Sequence, residues 1–218
     1  LPAAVTAVED ERFLTHLGVD PIATTRAVFQ NLRHAKVVSG ASTLTMQVCK
    51  MLDPAPRTLR TKWIEAIRAL KYEQGHQKNE VLELWLNIAP FGSNLRGVRA
   101  PSLHWFGVER PNLHLAEAAL LAGLPQSPER LRPDRNPEAA LKRRNHVLDR
   151  MLIEHWIDKQ THAEAIRQPI LLFEHPRDEA IPDAIGFLAA ERRPRGGTTT
   201  IDPELQDQTK ALIHEHLL

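Results

Sequence analysis

Apolar residues recur along most of this chain at the three- and four-residue intervals of a helix, and the strict alternation of a half-buried strand is almost absent. Asp20-Pro21 reads as an N-cap followed by proline at the first helical position, with Ile22, Phe29 and Leu32 repeating behind it, so residues 21–33 are predicted to be helical. After a break at Ser39-Gly40, Ser42 to Leu52 carries a stripe of Leu44, Val48, Met51 and Leu52 that Pro54 and Pro56 terminate. A third helix is predicted from about Leu59 to Tyr72 with Trp63, Ile67 and Leu70 facing inward, and others over Glu80–Asn87, Leu115–Leu124 and Pro137–Trp156. The pattern changes after a Pro/Arg-rich stretch from Arg192 to Gly197. Thr198-Thr199-Thr200-Ile201 is β-branched enough to begin a strand. Residues 1–191 are therefore expected to form one mainly α domain and 192–218 a linker with the start of something different.

Composition narrows the class. With 218 residues and 42% hydrophobic content, the chain is long enough for one good core, or for two lobes sharing a cleft. Lys and Arg number 28 against 27 Asp and Glu, and aromatic residues are only 5%, which argues against nucleic acid as a partner. The single Cys49 excludes an intrachain disulfide and a cysteine-based zinc site. Eleven histidines make no metal-ligand spacing, and His214-Glu215-His216 is not the helical zinc pattern. No apolar run approaches the ~20 residues that span a bilayer, and Leu1-Pro2-Ala3-Ala4 lacks the charged start of a signal peptide. The chain as it stands is expected to be soluble or to lack its anchor.

Two clusters carry candidate chemistry. Glu9-Asp10-Glu11 stands beside Phe13, His16 and Gly18; it reads either as an ordinary helix end with acidic residues in its first turn or as a catalytic carboxylate site. Gly40 to Lys50 places Ser42 and Thr43 at a helix start, where free N–H groups can hold an anion. On a helical wheel Thr43, Met46 and Lys50 share a face opposite Leu44, Val48 and Leu52. That face could grip a pyrophosphate, or it could belong to a capped amphipathic helix with a solvated lysine. Farther on, Glu65 lies opposite the Trp63/Ile67/Leu70 stripe with Arg68 three residues later, which suits a surface ion pair or a cleft-facing carboxylate.

Together these blocks resemble the family 51 glycosyltransferases, the lysozyme-like domain of monofunctional peptidoglycan polymerases and of bifunctional class A penicillin-binding proteins. The family pattern Glu-Asp-x-x-Phe-x-x-His-x-Gly is met by Glu9, Asp10, Phe13, His16 and Gly18. Gly-x-Ser-Thr-Leu-Thr-Gln-Gln is met by Gly40, Ser42, Thr43, Leu44, Thr45 and Gln47, with Lys50 downstream. Met46 replaces the first glutamine, a variation associated with the type 1C subgroup. Lys62 to Leu70, Glu80 to Asn87 and Ala116 to Pro128 match three further blocks in order.

The resemblance implies a two-lobed helical fold with a cleft between the lobes, and inverting polymerisation of lipid II into glycan strands. The GlcNAc 4-hydroxyl would attack and the lipid pyrophosphate would leave. Glu9 is then the general base, Glu65 the second functional carboxylate, and Asp10, Phe13, His16, Ser42, Thr43, Gln47, Lys50, Arg57 and Arg60 the substrate-binding set. A divalent cation, Mg²⁺ or Mn²⁺, near Glu65 is implied by the family alone. His16 is expected to support its loop, and Glu83 and Glu117 to be structural. The partners implied are lipid II, the growing glycan, a membrane surface and other wall-building proteins, at the periplasmic face of a bacterial inner membrane. The 21–33 helix either meets that membrane through Ile22, Phe29 and Leu32 or packs in the core.

Residues 198–206 look like the lead-in to a penicillin-binding half that these residues do not include. None of the five serines starts a Ser-x-x-Lys, and there is no Lys-Thr-Gly, so these 218 residues are not expected to react with penicillin. A lysozyme-like hydrolase or lytic enzyme and a non-catalytic scaffold are the rival functions. The Ser-Thr-Leu-Thr helix with Lys50 argues against the first and the Glu9/Glu65 pair against the second.

Overall fold

In the computed structural model, which describes residues 1–34, 42–56, 58–173 and Gln208, helices α1 (Pro2–Glu9), α2 (Pro21–His34), α3 (Leu44–Leu52), α4 (Leu59–Gly75) and α5 (Lys78–Ile88) lead into a short hairpin. Its strands β1 (Pro90–Gly92) and β2 (Leu95–Arg96) pair antiparallel, and α6 (Arg99–Phe106), α7 (Leu115–Gly123), α8 (Pro137–Ile153) and α9 (Lys159–Arg167) follow. The chain divides into two units, Leu1–Glu174 and His175–Leu218. The strand and linker expected after residue 191 lie outside the described residues.

Local chemistry sets most helix starts. Asp20 Oδ1 accepts the Ala23 N–H at 2.9 Å, Thr43 Oγ1 accepts Met46 N–H at 3.1 Å, and Thr58 Oγ1 accepts Thr61 N–H at 3.0 Å. Glu80 and Glu117 reach back to the N–H groups of Gln77 and His114, 2.6 and 2.9 Å away, so Glu117 is a capping residue; Glu83 is exposed. Prolines at the first turns of α1 and α8 leave no extra N–H unsatisfied.

The main core gathers around α7, whose residues from Ala118 to Gly123 are all buried, as expected of a helix apolar on every side. A second, smaller cluster of Met46, Cys49 and Ala69 sits between α3 and α4. Helix α3 is the wall both share: Leu44 and Val48 enter the main core, Met46 and Cys49 the smaller one.

That double burial corrects two expectations about faces. Thr43 and Met46 do not share an open face with Lys50; both are buried, while Leu52, expected in the stripe, is exposed. On α4 the predicted orientation is inverted. Trp63, Ile67 and Leu70 are 73%, 51% and 43% exposed, whereas Glu65 and Ala69 are buried. The cause is backbone approach. Gly18, in the left-handed region at φ +78°, lies against α4 so closely that a Cβ would stand 2.4 Å from the Ala69 carbonyl oxygen, a fit that only the small-residue face of α4 permits. Helix α2 likewise leaves Ile22 and Phe29 exposed and buries Ala27; the side chain of Leu32 lies outside the described residues.

Candidate active site

Glu9 is the last residue of α1 and Asp10 its C-cap, so the acidic cluster closes a helix rather than opening one, where the dipole does not favour carboxylates. What holds them is tertiary. Gln47 Nε2 donates to Glu9 Oε2 at 3.0 Å, and the Gln47 Oε1 accepts from Trp85 Nε1 at 2.9 Å. An indole N–H can only donate, so this bond turns the Gln47 amide with its NH₂ toward Glu9. An Arg143 guanidinium nitrogen stands 3.6 Å from Glu9 Oε1. Burial pushes the Glu9 carboxyl above its ordinary range, while the Gln47 bond and Arg143 pull it part of the way back.

Glu9 opens onto a cleft of about 540 Å³ whose walls come from α3 (Gln47, Lys50, Met51), the hairpin (Pro90, Arg96) and the segment after α7 (Pro125, Gln126, Pro128), with Ser42 at its edge. Among these described residues Glu9 is the only carboxylate. Ser42 Oγ accepts from Lys62 Nζ, and Lys62 is paired with Glu65 Oε2 at 3.1 Å. Glu65 therefore reaches the cleft through Lys62 and Ser42 and does not line it.

The remaining predicted residues frame the site. Asp10 is buried and accepts from His16 Nε2 at 3.0 Å and from the Leu44 N–H at 2.9 Å, tying the loop after α1 to the start of α3. Thr43 Oγ1 donates to the Gly18 carbonyl at 2.6 Å while capping α3. Phe13 is buried beneath Lys78, whose Nζ lies 4.5 Å from the ring centroid and pairs with Glu73 at 2.7 Å. Arg60 is exposed and does not line the cleft; Arg57 lies outside the described residues.

Lys62, Trp85, Arg96, Gln126 and Arg143 also stand at or beside the cleft and are not among the residues expected there. Lys62 was recoverable from its i,i+3 spacing to Glu65. Arg143 sits in Lys142-Arg143-Arg144, which reads as a solvated basic run.

A family profile described as transglycosylase matches residues 1–152. The chain belongs to the transglycosylase family. This transglycosylase domain is 41% identical over 209 residues to penicillin-binding protein 1C of Escherichia coli, covering 96% of this chain and 27% of that protein. It is 43% identical over 168 residues to penicillin-binding protein 1A of Aquifex aeolicus, covering 77% of this chain and 23% of that one. A 2.6 Å crystal structure of penicillin-binding protein 1A from Haemophilus influenzae is similar with a TM-score of 0.47 and 27% identity, over 67% of this chain and 19% of that one. The chain spans about a quarter of the length of these curated relatives. It is a transglycosylase domain of the class A penicillin-binding protein kind, mainly helical as expected.

Proposed function

We propose that this domain polymerises lipid II by inverting transfer to the GlcNAc 4-hydroxyl, with Glu9 as general base. The observation that carries the reading is a single half-buried carboxylate, its pKa raised by desolvation and its position set by Gln47, at the wall of a cleft that also holds Lys50. A sugar hydroxyl is too weakly acidic to attack unaided. Glu9 accepts its proton as the new C1–O bond forms, and the bond from C1 to the pyrophosphate oxygen breaks. Lys50, and Lys62 held beside Ser42, are the cations that would meet the departing charge. Glu65 is then a positioning residue for Lys62.

The divalent ion expected from the resemblance finds no cage. Among the described residues no group of three or more His, Cys, Asp or Glu converges, and Glu65 is already matched by Lys62. Were a cation held there, Glu65 would be its protein carboxylate, and the charge it supplied would offset that of the departing pyrophosphate.

Most glycosidases place two carboxylates about 5–10 Å apart across the scissile bond, and the described residues of the cleft lining include one, which supports transfer over hydrolysis. Incubating the chain with lipid II and resolving the glycans on a gel tests the reading: polymer is expected, and shortened or unchanged glycan refutes it. Glu65→Gln should weaken binding of lipid-pyrophosphate analogues and leave the acidic limb of the pH–rate profile in place. Loss of that limb would make Glu65 the base.

The lipid-linked substrate of this reading and the exposed Trp63, Ile67 and Leu70 face together support work at a membrane surface, which the family resemblance places at the periplasmic face of a bacterial inner membrane. Among the described residues no helix is long and apolar enough to cross that membrane. Partnership with other wall-building proteins remains part of this proposal.

A further inference from the structure

The cleft does not end at Arg96. Pro90, Arg96 and Pro128 also line an adjoining recess of about 550 Å³, completed by Asn94, Ser127 and Arg130. Its walls are tied together. Ser93 and Asn94 turn the hairpin at φ 52° and 59°, the Ser93 N–H donates to Glu129 Oε1 at 2.9 Å, and a Cβ on Gly92 would stand 2.6 Å from the Pro128 carbonyl oxygen.

The charges of this region are unevenly matched. Arg99 is paired with Glu109, and Arg132 with Asp134 at 2.6 Å and with Glu129 at 3.5 Å. Arg96 is exposed and makes no ion pair among the described residues, and the bond from Arg130 Nε to Ser127 Oγ is long, at 3.4 Å. Glu129, the one acid in the recess, is already engaged by Ser93 and Arg132. Two guanidinium groups thus stand with spare donors beside the cleft, and a planar donor fork of that kind matches a carboxylate.

We propose that the recess is a subsite for the carboxylate-bearing peptide branch of the sugar substrate, and that Arg96 determines the preference for a free over a masked carboxylate. The proposal rests on the polymerase reading for the identity of the branch. Arg96 as another pyrophosphate cation is the competing role, and the two separate cleanly, because every substrate shares the pyrophosphate and only the peptide varies.

The test compares the 218-residue chain with its Arg96→Glu and Arg96→Lys variants on two lipid-linked disaccharide substrates, one with free stem-peptide carboxylates and one with those groups amidated. In Arg96→Glu the fall in kcat/KM should be about tenfold or more larger for the free-carboxylate substrate than for the amidated one, with Arg96→Lys between. Equal losses on both substrates, or none, overturn the proposal. Titration of a soluble muramyl peptide, followed by NMR, supplies a readout independent of turnover and should weaken in Arg96→Glu. If the parent chain makes no polymer while muramyl-peptide binding still depends on Arg96, the polymerase reading falls and the subsite stands. If polymer forms while binding and rates ignore Arg96, the subsite falls alone.

Discussion

Glu9 illustrates a conflict between stability and function at a single carboxylate. Its folded pKa is raised above the ordinary 4.5, first by burial, so its contribution to stability is present below that value and is lost as pH rises through the folded pKa. Above pH 4.5 the unfolded chain ionises this carboxyl freely while burial resists ionisation in the fold, so raising the pH disfavours folding. Glu9→Gln should therefore melt at a higher temperature than the parent at pH 7, with the gap closing below pH 4.5, while polymerisation falls by about 10²–10⁴-fold. Calorimetry against pH, paired with the gel assay, checks both halves; an inactive variant that is also less stable would contradict the burial argument. Arg143 works on the same proton from the other side. Its charge lowers the Glu9 pKa, so Arg143→Gln should move the acidic limb of the pH–rate profile to higher pH, and Arg143→Lys should restore part of the shift. A merely structural arginine would lower the rate without moving that limb.

At the scale of elements, helix ends carry more of the architecture than their length suggests. Asp20 caps α2 through the Ala23 N–H and is paired with Arg12. Burial alone would raise its carboxyl, but the Arg12 and Ala23 bonds outweigh it and hold the group below its ordinary 3.8. The stability it contributes is present above that value and is lost as pH falls through the lowered pKa. Asp20→Ala should cost about 1–2 kcal/mol from the cap alone, measured by urea denaturation at pH 7, and the difference from the parent should shrink under acid. Helix α3 makes the complementary point. It has no single inner face, because Leu44 and Val48 pack to one side and Met46 and Cys49 to the other, leaving Gln47, Lys50 and Met51 for the cleft. The methionine at position 46 is thus a packing residue of the smaller cluster.

For the molecule as a whole, the exposed apolar side of α4 is its most unusual surface. Trp63, Ile67 and Leu70 recur at helical spacing on one side of that helix, and Ile22 and Phe29 are exposed on α2. A core explanation fails there, since these side chains are in solvent, and a lipid surface is the partner that the proposed substrate supplies. Trp63→Asp/Ile67→Asp should lose flotation with phospholipid vesicles while its melting temperature stays close to that of the parent. A large drop in melting temperature would mean that these side chains support the fold.

Much of the architecture and of the chemistry was legible in the residues alone, because both are written at short range. Helix periods, the caps at Asp20 and Thr43 and the Glu9 and Gln47 motifs depend on neighbours a few positions apart or on a pattern quoted in order. Which side of a helix faces inward is decided elsewhere. The inversion of α4 follows from the approach of Gly18 to Ala69, and Asp10, Phe13 and Thr43 belong to the frame through contacts with distant segments, whereas His16 bonds to Asp10 within its own loop. The hairpin strands, three and two residues long, were too short to show alternation, and Arg143 was hidden in a basic run. Periodicity measures how apolar a helix face is, whereas burial depends on which backbones can come close, and only the tertiary structure holds that information.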